Sequence, residues 1–567
     1  MDTTEAKTIL ANLRERIEIG SDGKFRLPGL ITQRELDALE HFTSVVVKAP
    51  APLLRAPADE SGTAVIEPSA AEEPAAVTLD LSTLALPEAD ANYRVCLDFG
   101  TAMSKATFVH DDDEFEDIQV LKLGVPGDQE EIDENMLVSS VFIDAEGLLW
   151  FGQKAVELSQ RVTEGDHARM DNIKRALSEG NLGEALDAKF NPTGVRLTYE
   201  DIVLAYLTFF TWTINYALLN DVETDGVTRN FRRRFAMPCF PRANARIVES
   251  KLRVLLGEAQ VLSDTFWDEI NLGLPLVRFL AAVRQLREEK RTYPFVDATV
   301  TEPLGVAGSL LSWRNSHDSL ALVVDIGAGT SDFSLYRLNV TENEDGSFRS
   351  VAGEVDGTAR GITEAGNHLD KLLKGYILGK AGISSDHPNF ERISYRLESN
   401  IRENKETLFN SHSVLAVLDA SSGESVEVSR DEFMALDEVK AFEQSLRATL
   451  VEIMEGADPA WIEWIRTNPS RYLTIVLTGG GANLPMAKKL AEGTVKAHGV
   501  TIPVAAAKAF PAWLEKDYSD LEEAYPRIAV SLGGARKDIL RPLARPLTTT
   551  GSGVGGHVLE RFATRGV

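Results

Sequence analysis

The sequence predicts an α/β fold in which two duplicated subdomains face each other across a cleft. Two observations predict it. Strand-like and helix-like segments alternate from Tyr93 to about Ala535, a pattern typical of α/β proteins. Within that stretch an apolar strand, an Asp, a glycine turn and a second strand occur twice in succession, around Asp98 and Asp325. The separation of these two aspartates leaves each copy enough chain for a subdomain of its own.

Composition divides the chain into five segments. The N-terminal stretch has apolar residues at helical spacing over Thr3–Ile19 and over Thr32–Phe42, which indicates a mostly helical or flexible extension. The next stretch is rich in Ala, Pro, Glu and Ser, a composition that buries little surface and is typical of flexible linkers. We expect an N-terminal helical segment at 1–48, a linker at 49–92, subdomains at 93–315 and 316–540, and a flexible tail at 541–567.

The bulk composition favours a soluble, cytoplasmic protein. Hydrophobic residues make up 44% of the 567 positions, yet we expect no apolar run long enough to cross a bilayer and no signal peptide. The formal net charge of −27 disfavours nucleic acid as a partner, because such a surface repels phosphate backbones. Cys96 and Cys239 lie in apolar stretches and indicate two buried thiols rather than a disulfide or a metal site.

Each copy of the repeat contains the residue types that a magnesium-bound triphosphate requires. Glycines let the N–H groups of a turn approach phosphate oxygens, hydroxyls add donors, and carboxylates suit magnesium directly or through its waters. Either hairpin alone could be an ordinary Asp-Gly turn, but the recurrence favours one nucleotide clamped by both. The candidates are the glycines Gly100, Gly327 and Gly329, the hydroxyls of Thr101 and Thr330, and the carboxylates of Asp98, Asp325 and Asp332.

A third glycine cluster follows another apolar strand. The run Tyr472–Leu477 leads into Gly479, Gly480 and Gly481 and then into a helix-like segment, Met486–Glu492. Three consecutive glycines allow a flat ligand to lie against the backbone. Taken alone this cluster is a weak signal, because flexible strand-to-helix connections have the same composition.

In this order the three segments resemble the actin-like ATPase superfamily, and most closely the nucleotide-binding domain of DnaK-type heat-shock chaperones, over residues 93–540. The resemblance implies two duplicated actin-like (ribonuclease-H-like) subdomains flanking a nucleotide cleft, with ATP and Mg²⁺ as cofactors. Linking segments that agree with it are Ser139–Ile143 with Phe151–Ala155, Asn172–Arg175, Phe235–Phe240 with Arg246, Thr301–Ala307, Gly366–Asp370 and Arg402–Leu408.

The resemblance also implies a role for each matching residue. Lys174 would neutralise charge on the γ-phosphate, Glu302 would orient water or the magnesium shell, and Asp325 would help to activate the attacking water. By role, Asp98, Asp325 and Asp332 would organise magnesium, Gly100, Gly327, Gly329, Thr101 and Thr330 would contact phosphate, and Lys405, Gly479, Gly480 and Gly481 would border the adenosine.

Four positions depart from the chaperone pattern. Ala102 stands where the chaperones usually carry a second hydroxyl, and Arg402 stands where they carry an acid. Glu406 and Asn483 each replace an arginine on the adenosine side, and neither offers the planar cation that stacks on a base. We therefore expect an intact phosphate site with altered affinity or base preference.

The resulting hypothesis is a chaperone-related, DnaK-like ATPase that binds ATP and ADP, hydrolyses ATP slowly and uses it as a conformational switch. Few residues follow the last matching helix start, Ile528–Ala535, so we expect no C-terminal peptide-binding domain. A protein partner would bind the N-terminal segment or an insertion at residues 247–301, which contains an apolar-periodic helix at Leu274–Leu286. The alternatives are an actin- or MreB-like filament former and, less favoured, a small-molecule kinase of the same fold.

Overall fold

The computed structural model describes most of the chain from residue 77 onward. The described residues are 18–19, 25–26, 77–87, 92–111, 116–124, 134–162, 167–220, 231–239, 242–293, 296–310, 317–342, 348–419, 423–508 and 510–536. The strands are β1 (Glu18–Ile19), β2 (Phe25–Arg26), β3 (Tyr93–Asp98), β4 (Met103–Asp111), β5 (Glu116–Val120), β6 (Leu137–Val138), β7 (Val141–Ile143), β8 (Leu148–Phe151), β9 (Arg232–Met237), β10 (Leu274–Pro275), β11 (Val296–Thr301), β12 (His317–Ile326), β13 (Ser331–Glu342), β14 (Phe348–Glu354), β15 (Arg360–Ile362), β16 (Ser413–Asp419), β17 (Glu424–Ser429), β18 (Leu473–Thr478), β19 (Thr494–Ala497) and β20 (Val500–Ala506). The α-helices are α1 (Gly152–Ser159), α2 (Arg175–Glu179), α3 (Tyr199–Asn220), α4 (Arg242–Thr265), α5 (Leu276–Glu288), α6 (Glu302–Leu310), α7 (Gly366–Lys380), α8 (Phe390–Ser411), α9 (Arg430–Met434), α10 (Asp437–Gly456), α11 (Pro459–Arg466), α12 (Pro485–Lys488) and α13 (Tyr525–Ala535).

The chain forms two units, Met1–Glu73 and Pro74–Val567. In the first unit β1 and β2 pair antiparallel. The helix predicted over Thr3–Ile19 is therefore wrong at residues 18–19, where the following Gly-Ser-Asp-Gly sequence favours a hairpin. The rest of that predicted helix, and the one over Thr32–Phe42, lie outside the described residues.

Part of the predicted linker is packed structure. The side chain of Val77 is buried in the core, and Leu79, Leu81 and Leu84 pack against that core. The hydroxyl of Thr83 donates to the carboxylate of Asp264 in α4. The expectation of a flexible linker at 49–92 is thus wrong for residues 77–87, because alternating apolar residues there bury enough surface to order the backbone. Residues 49–76 and 88–91 lie outside the described residues.

The first half of the second unit, residues 77–310, is built on a mixed sheet. Strands β3 and β4 form an antiparallel hairpin, and β5 adds antiparallel to β4. On the other side β9 adds parallel to β3, and β11 adds parallel to β9, which gives the order β11-β9-β3-β4-β5. The inner strand β3 is buried over almost its whole length, as expected for a strand covered on both faces.

The second half, residues 317–508, is built on a sheet with the same arrangement. Strands β12 and β13 form an antiparallel hairpin, and β14 adds antiparallel to β13. Strand β18 adds parallel to β12 and β20 parallel to β18, which gives the order β14-β13-β12-β18-β20 with β19 beyond. The described chain is thus mixed α/β, as predicted, and in each sheet the central hairpin carries one copy of the repeat.

Helix α3 corrects one expectation from the sequence. It is long and apolar enough to pass a composition test for a membrane span, so the prediction that no run reaches that length is wrong. The helix is 83% buried over the apolar window, and residues such as Phe210 and Ile214 lie in the core of the first half. The helix is buried as a core helix is, and a core helix has the same apolar composition as a membrane-spanning helix.

The segment at residues 247–301 is largely part of the first half's core. Leu255, Leu262 and Phe279 are fully or almost fully buried, and the segment ends in β11 at the edge of the sheet. Most of the segment that was expected to be an insertion is therefore packed in the core rather than lying on the surface. The predicted helix at Leu274–Leu286 is confirmed as α5, whose first turn begins after the short strand β10.

Helices α6 and α13 pack against each other between the two halves, and glycines allow their close approach. A Cβ atom on Gly305 of α6 would lie 2.5 Å from the carbonyl oxygen of Val530 in α13. A Cβ atom on Gly533 would lie 1.8 Å from the carbonyl oxygen of Gly305, so neither position accepts a side chain. Helix α13 also contacts β3 and β4, where the hydroxyls of Thr107 and Ser531 are 2.9 Å apart. The last part of the predicted subdomain 316–540 therefore packs on the first half.

Candidate functional site

The two hairpin turns meet at a cleft of about 290 Å³ between the halves. The cleft brings together most of the residues predicted from the sequence. Of these, Asp98, Gly100, Thr101, Lys174, Glu302, Asp325, Gly327, Thr330, Lys405, Gly479, Gly480 and Gly481 line it. The two remaining candidates, Gly329 and Asp332, lie directly behind this lining. A Cβ atom on Gly329 would stand 2.8 Å from the Thr101 hydroxyl, so the two turns approach each other closely at this glycine.

The first hairpin turn is closed by its own backbone and carries an ion pair. The N–H of Gly100 donates to the carbonyl of Asp98 at 3.1 Å. A Cβ atom on Gly100 would lie 2.0 Å from the carbonyl oxygen of Met103, which makes glycine obligatory at this position. Lys105 lies opposite Asp98 in the strand register, and its Nζ is 3.3 Å from the Asp98 carboxylate. The first turn thus presents a carboxylate and its counter-charge together.

The second hairpin has the same spacing with different charges. Gly327 donates its N–H to the carbonyl of Thr330 at 2.9 Å, which closes the turn. Asp332 lies opposite Asp325 in the strand register, at the place that Lys105 occupies in the first hairpin. The second turn therefore presents two buried carboxyl groups with no lysine between them in the register.

Burial and charge both act against ionisation of Asp325. Burial raises its pKa well above the usual value, and the negative charges of Glu302, Asp98 and Asp332 raise it further, while Lys105 opposes them. Like charges this close disfavour one another's ionised forms. A cation that entered the cleft would relieve this repulsion.

Asp332 has one satisfied and one orphaned carboxyl oxygen. Its Oδ1 accepts the backbone N–H of Cys239 at 3.0 Å, whereas its Oδ2 is buried without a hydrogen-bond partner among the described residues. Burial and the charge of Glu302 raise the pKa of Asp332 to about 7, against hydrogen bonds from Thr330 and Cys239 and the charge of Lys174. An orphaned buried oxygen beside a cleft is where a water or cation is expected.

Lys174 and Glu302 form a buried ion pair at the floor of the cleft. The Nζ of Lys174 donates to the Glu302 carboxylate, and the side chains of both residues are at most 10% exposed. Burial alone would lower the pKa of Lys174, but the charges of Glu302 and Asp98 and the hydrogen bond to Glu302 raise it above its ordinary value. Lys174 therefore stays protonated, which gives this part of the cleft a fixed cation. The lysine ends the turn before α2, and Glu302 begins α6.

The third glycine cluster closes over the second hairpin. Gly479 has a φ of +80°, and a Cβ atom there would lie 2.3 Å from the carboxylate of Asp325. Its N–H donates to the carbonyl of Pro526, and the N–H of Gly481 donates to the carbonyl of Ile326 at 2.9 Å. The loop is therefore a fixed backbone wall rather than a loose connection, and no larger residue fits at Gly479.

Lys405 is tied to the second half rather than free in the cleft. Its Nζ donates to the carbonyl of Gly366 at 3.1 Å and lies 2.8 Å from the carboxylate of Asp370. Gly366 in turn donates its N–H to the carbonyl of Gly327 at 3.0 Å. The lysine thus supports the second hairpin turn from behind while its side chain still lines the cleft.

Several polar groups in the lining of the cleft are uncommitted. Glu406, Asn410 and Asn483 line it, are exposed, and make no side-chain hydrogen bond or ion pair with any other described residue. Arg402 and Arg527 line the cleft as well. The lining therefore combines a network of paired charges with polar groups that a ligand would meet unpaired.

The described residues contain no group of three or more His, Cys, Asp or Glu side chains arranged as a metal site. A complete protein shell around magnesium is thus not built here. Magnesium usually keeps several waters and takes only one or two carboxylates together with substrate phosphates. The orphaned oxygen of Asp332 and the disfavoured charge of Asp325 fit that partial role.

Sequence reasoning missed Lys105, the contact of Cys239 with Asp332, and an Asn172–Asn367 contact across the cleft. A signal for Lys105 existed, because it follows Asp98 at the same spacing by which Asp332 follows Asp325. Cys239 is half-buried rather than fully buried as predicted, since it lies just past the end of β9. The asparagine contact has no sequence signal, because it depends on how the halves pack.

Comparisons with known proteins leave the family open. No protein-family model matches this sequence, and no curated protein is significantly similar to it. The resemblance to DnaK-type and actin-like ATPases therefore stands on the motifs themselves. What the geometry adds is that these motifs, which are far apart in the chain, converge on one cleft.

Proposed function

We propose that the cleft binds Mg²⁺-ATP between the two halves and hydrolyses ATP slowly, so that the bound nucleotide acts as a conformational switch. The observation that carries this proposal is the convergence of two equally spaced Asp-Gly hairpins, Asp98–Lys105 and Asp325–Asp332, on a single cleft. Facing glycine turns of this kind provide backbone donors on both sides of one phosphate chain.

The proposed fold is a pair of duplicated actin-like (ribonuclease-H-like) subdomains of the DnaK type. The shared strand order of the two sheets supports it, because a duplicated ancestor leaves the same sheet twice. The position of each hairpin at the centre of its sheet supports it as well. These arguments concern architecture, and the role of the protein is argued from the site.

The chain's own residues divide the proposed work among them. The turns at Gly100 and Gly327, with the hydroxyls of Thr101 and Thr330, would hold the phosphate oxygens. Lys174, oriented by Glu302, would stabilise charge that develops on the γ-phosphate, and carboxylates would orient the attacking water. Asp98, Asp325 and Asp332 would hold magnesium through its waters, and the ion would neutralise phosphate charge. The Gly479–Gly481 wall would border the nucleoside, with Lys405 beside it.

The cellular role that we propose is chaperone-related and cytoplasmic. A slow ATPase of this type works by changing the relative position of its halves, which a protein partner then reads. The partner surface is proposed to be the N-terminal segment or residues 247–301. The latter keeps exposed apolar side chains at Ile247, Leu272 and Val277 although most of the segment is core.

Titration calorimetry and phosphate release on the full chain test this function. We expect ATP to bind with magnesium, to bind much more weakly when EDTA removes the metal, and to be hydrolysed without an added acceptor. Absence of both binding heat and phosphate release would refute the proposal. Pelleting of the protein only with ATP would favour the filament alternative, and turnover only with an added sugar would favour the kinase.

A further inference from the structure

A short hydrogen bond joins the two halves beside the cleft. The side-chain amide of Asn367 in α7 donates through Nδ2 to Oδ1 of Asn172, at 2.7 Å. Asn172 belongs to the first half and Asn367 to the second, and the bond is partly buried. A bond of this length must break when the halves move apart, because neither side chain can follow by more than a few ångströms.

The Asn172 end of this bond is coupled to Lys174. Asn172 has a φ of +59°, a left-handed conformation that Asn tolerates better than most residues but that still needs support from its surroundings. Its carbonyl accepts the N–H of Arg175 at 2.9 Å, which closes the turn containing Lys174. The orientation of Asn172 therefore fixes the turn from which Lys174 reaches Glu302.

The Asn367 end is coupled to the second hairpin. The backbone N–H of Asn367 donates to the carbonyl of Ala328 at 2.7 Å, and the preceding Gly366 donates to the carbonyl of Gly327 at 3.0 Å. A Cβ atom on Gly366 would lie 3.2 Å from the carbonyl oxygen of Gly327, so this approach is close. Asn367 is thus held to the turn of the second hairpin by backbone hydrogen bonds, and the two move together.

Two other polar links near Asn172 are weaker. The hydroxyl of Tyr395 in α8 reaches the carbonyl of Ser159 at 3.5 Å, a long hydrogen bond. Burial would raise the pKa of Asp171, but the hydrogen bond and charge of Arg169, with smaller contributions from Ser140 and Arg402, lower it. Arg402 therefore acts on Asp171 across the cleft through charge alone, and the asparagine pair is the short directional link in this group.

We propose that Asn172 and Asn367 form a strut that sets the closed position of the two halves and holds the Lys174 turn in register with the second hairpin. Both are positioning residues, since neither lines the cleft. Loss of the strut opens the cleft and loosens the Lys174 turn at the same time. The effect on opening does not require a nucleotide, whereas the effect on turnover rests on the proposed function.

Three variants separate the hydrogen bond from the backbone that carries it. Asn367→Ala removes the donor and leaves Asn172 untouched. Asn172→Gly removes the acceptor while keeping the left-handed backbone, which glycine adopts readily. Asn172→Asp keeps an acceptor oxygen and is the conservative control. The double variant of Asn172→Gly with Asn367→Ala tests whether the two positions act as one unit.

The primary measurement is the distance between the halves in the nucleotide-free full chain. Spin labels carried on non-canonical amino acids at the exposed positions Lys154 and Lys371 leave both cysteines unmodified, and pulsed electron resonance gives the distance distribution. We expect Asn367→Ala and Asn172→Gly to broaden and lengthen it, Asn172→Asp to match the unmodified chain, and the double variant to add nothing. Unchanged distributions in both single variants would overturn the strut.

Nucleotide kinetics provide the second measurement. We expect ATP to dissociate about fivefold to tenfold faster from Asn367→Ala and Asn172→Gly, the change that loss of one hydrogen bond produces, with a lower kcat and a higher KM. Asn172→Asp should restore all three values, and equal damage in Asn172→Asp and Asn172→Gly would contradict the strut. If the distances shift but no variant, nor the unmodified chain, binds ATP, the strut stands and the proposed function fails.

Discussion

The two hairpins at the cleft share one backbone arrangement, but the pairs of side chains that face each other across them differ in charge. In each, an Asp at the end of the inner strand is followed by a glycine turn, and one residue of the returning strand lies directly opposite that Asp. In the first hairpin the opposing residue is Lys105, 3.3 Å from the carboxylate of Asp98. In the second it is Asp332, which leaves two carboxyl groups together. The first hairpin is therefore neutralised from within, whereas the second has no cationic side chain opposite its Asp in the register.

Under the proposed function, this difference predicts unequal contributions from two turns that both contact phosphate. The lysine of the first turn adds a cation that can contact phosphate directly, and the second carboxyl group of the second turn adds oxygens that suit a hydrated metal. Duplication alone would give two equivalent turns, so the asymmetry arises from one position in each hairpin. Substitutions at these positions and at their neighbours test that interpretation.

The largest effect is expected at Asp325 in the second hairpin, where no lysine lies opposite it in the register. Asp325→Asn should slow ATP hydrolysis by about a thousandfold, a loss typical of removing one preorganised charged group from an active site. The nucleotide-free variant should also gain about 1 kcal/mol in unfolding free energy, because burial and like charges disfavour the native carboxylate. Single-turnover phosphate release and chemical denaturation measure the two effects.

The control for Asp325 is Lys174→Ala, which should abolish hydrolysis as well but lower the stability. It leaves the buried carboxylate of Glu302 without its partner, and that arrangement is unfavourable. If both variants lose turnover, a gain in stability for Asp325→Asn would show that its surroundings disfavour the Asp325 carboxylate. A loss in stability for Lys174→Ala would show that Lys174 stabilises Glu302. Normal turnover in both variants would remove the site assignment.

The next effect is expected at Lys105, which makes the first hairpin different from the second. Lys105→Met should weaken ATP binding by about tenfold to a hundredfold, because a charge-assisted contact to phosphate is lost and Asp98 is left unpaired. Lys105→Arg keeps the charge and serves as the matched control in titration calorimetry. Equal affinity in Lys105→Met and the unmodified chain would show that the lysine only stabilises the hairpin.

A smaller effect follows from the acidity of Asp332. Its pKa is about 7 in the fold and 3.8 in an unfolded chain, so the folded state binds this proton more tightly. The stability that the proton provides is present at low pH and is lost as the pH rises toward 7. In metal-free buffer, the unmodified chain should therefore lose more stability than Asp332→Asn between about pH 4 and 7. Parallel stability curves for the two proteins would contradict the raised pKa.

The smallest effect is expected at Glu406, which lines the cleft outside both hairpins. Glu406→Arg should increase ATP affinity about twofold to fivefold, because a guanidinium can stack on the base where a carboxylate cannot. Glu406→Gln removes the charge without adding a stacking group and is the matched control in the same titration. If both variants gain equally, charge rather than stacking is the cause, and the asymmetry between the hairpins is unaffected either way.

The sequence predicted what is local and missed what depends on packing. Both hairpins and the Gly479–Gly481 loop were predictable, because strand, Asp and glycine are contiguous in the chain. The role of Lys105 needed the strand register, and the bond between Asn172 and Asn367 needed the packing of two segments that are 195 positions apart. The spacing of Lys105 from Asp98 was a local signal for the lysine, whereas no local pattern contains the asparagine bond.

Two errors have a related cause. The alternation of Val77, Leu79 and Leu81 was outweighed by the Ala- and Pro-rich stretch before it, although these residues pack on the core. Helix α3 is apolar around its whole circumference because protein surrounds it, and composition alone does not distinguish protein from lipid. In both cases the missing information was what lies next to the segment in space.

The position of α13 has a consequence for how this protein is made. One face of the first sheet, with Cys96, Val109 and Ile118, shares a hydrophobic core with residues from Phe510 to Ala535. Those residues are synthesised long after the strands that they cover have left the exit tunnel of the ribosome. Until then, this face of the first sheet has only the earlier members of the same core, such as Val306 and Ala307, to cover it. A chain that terminates before Phe510 is therefore expected to leave part of that face exposed.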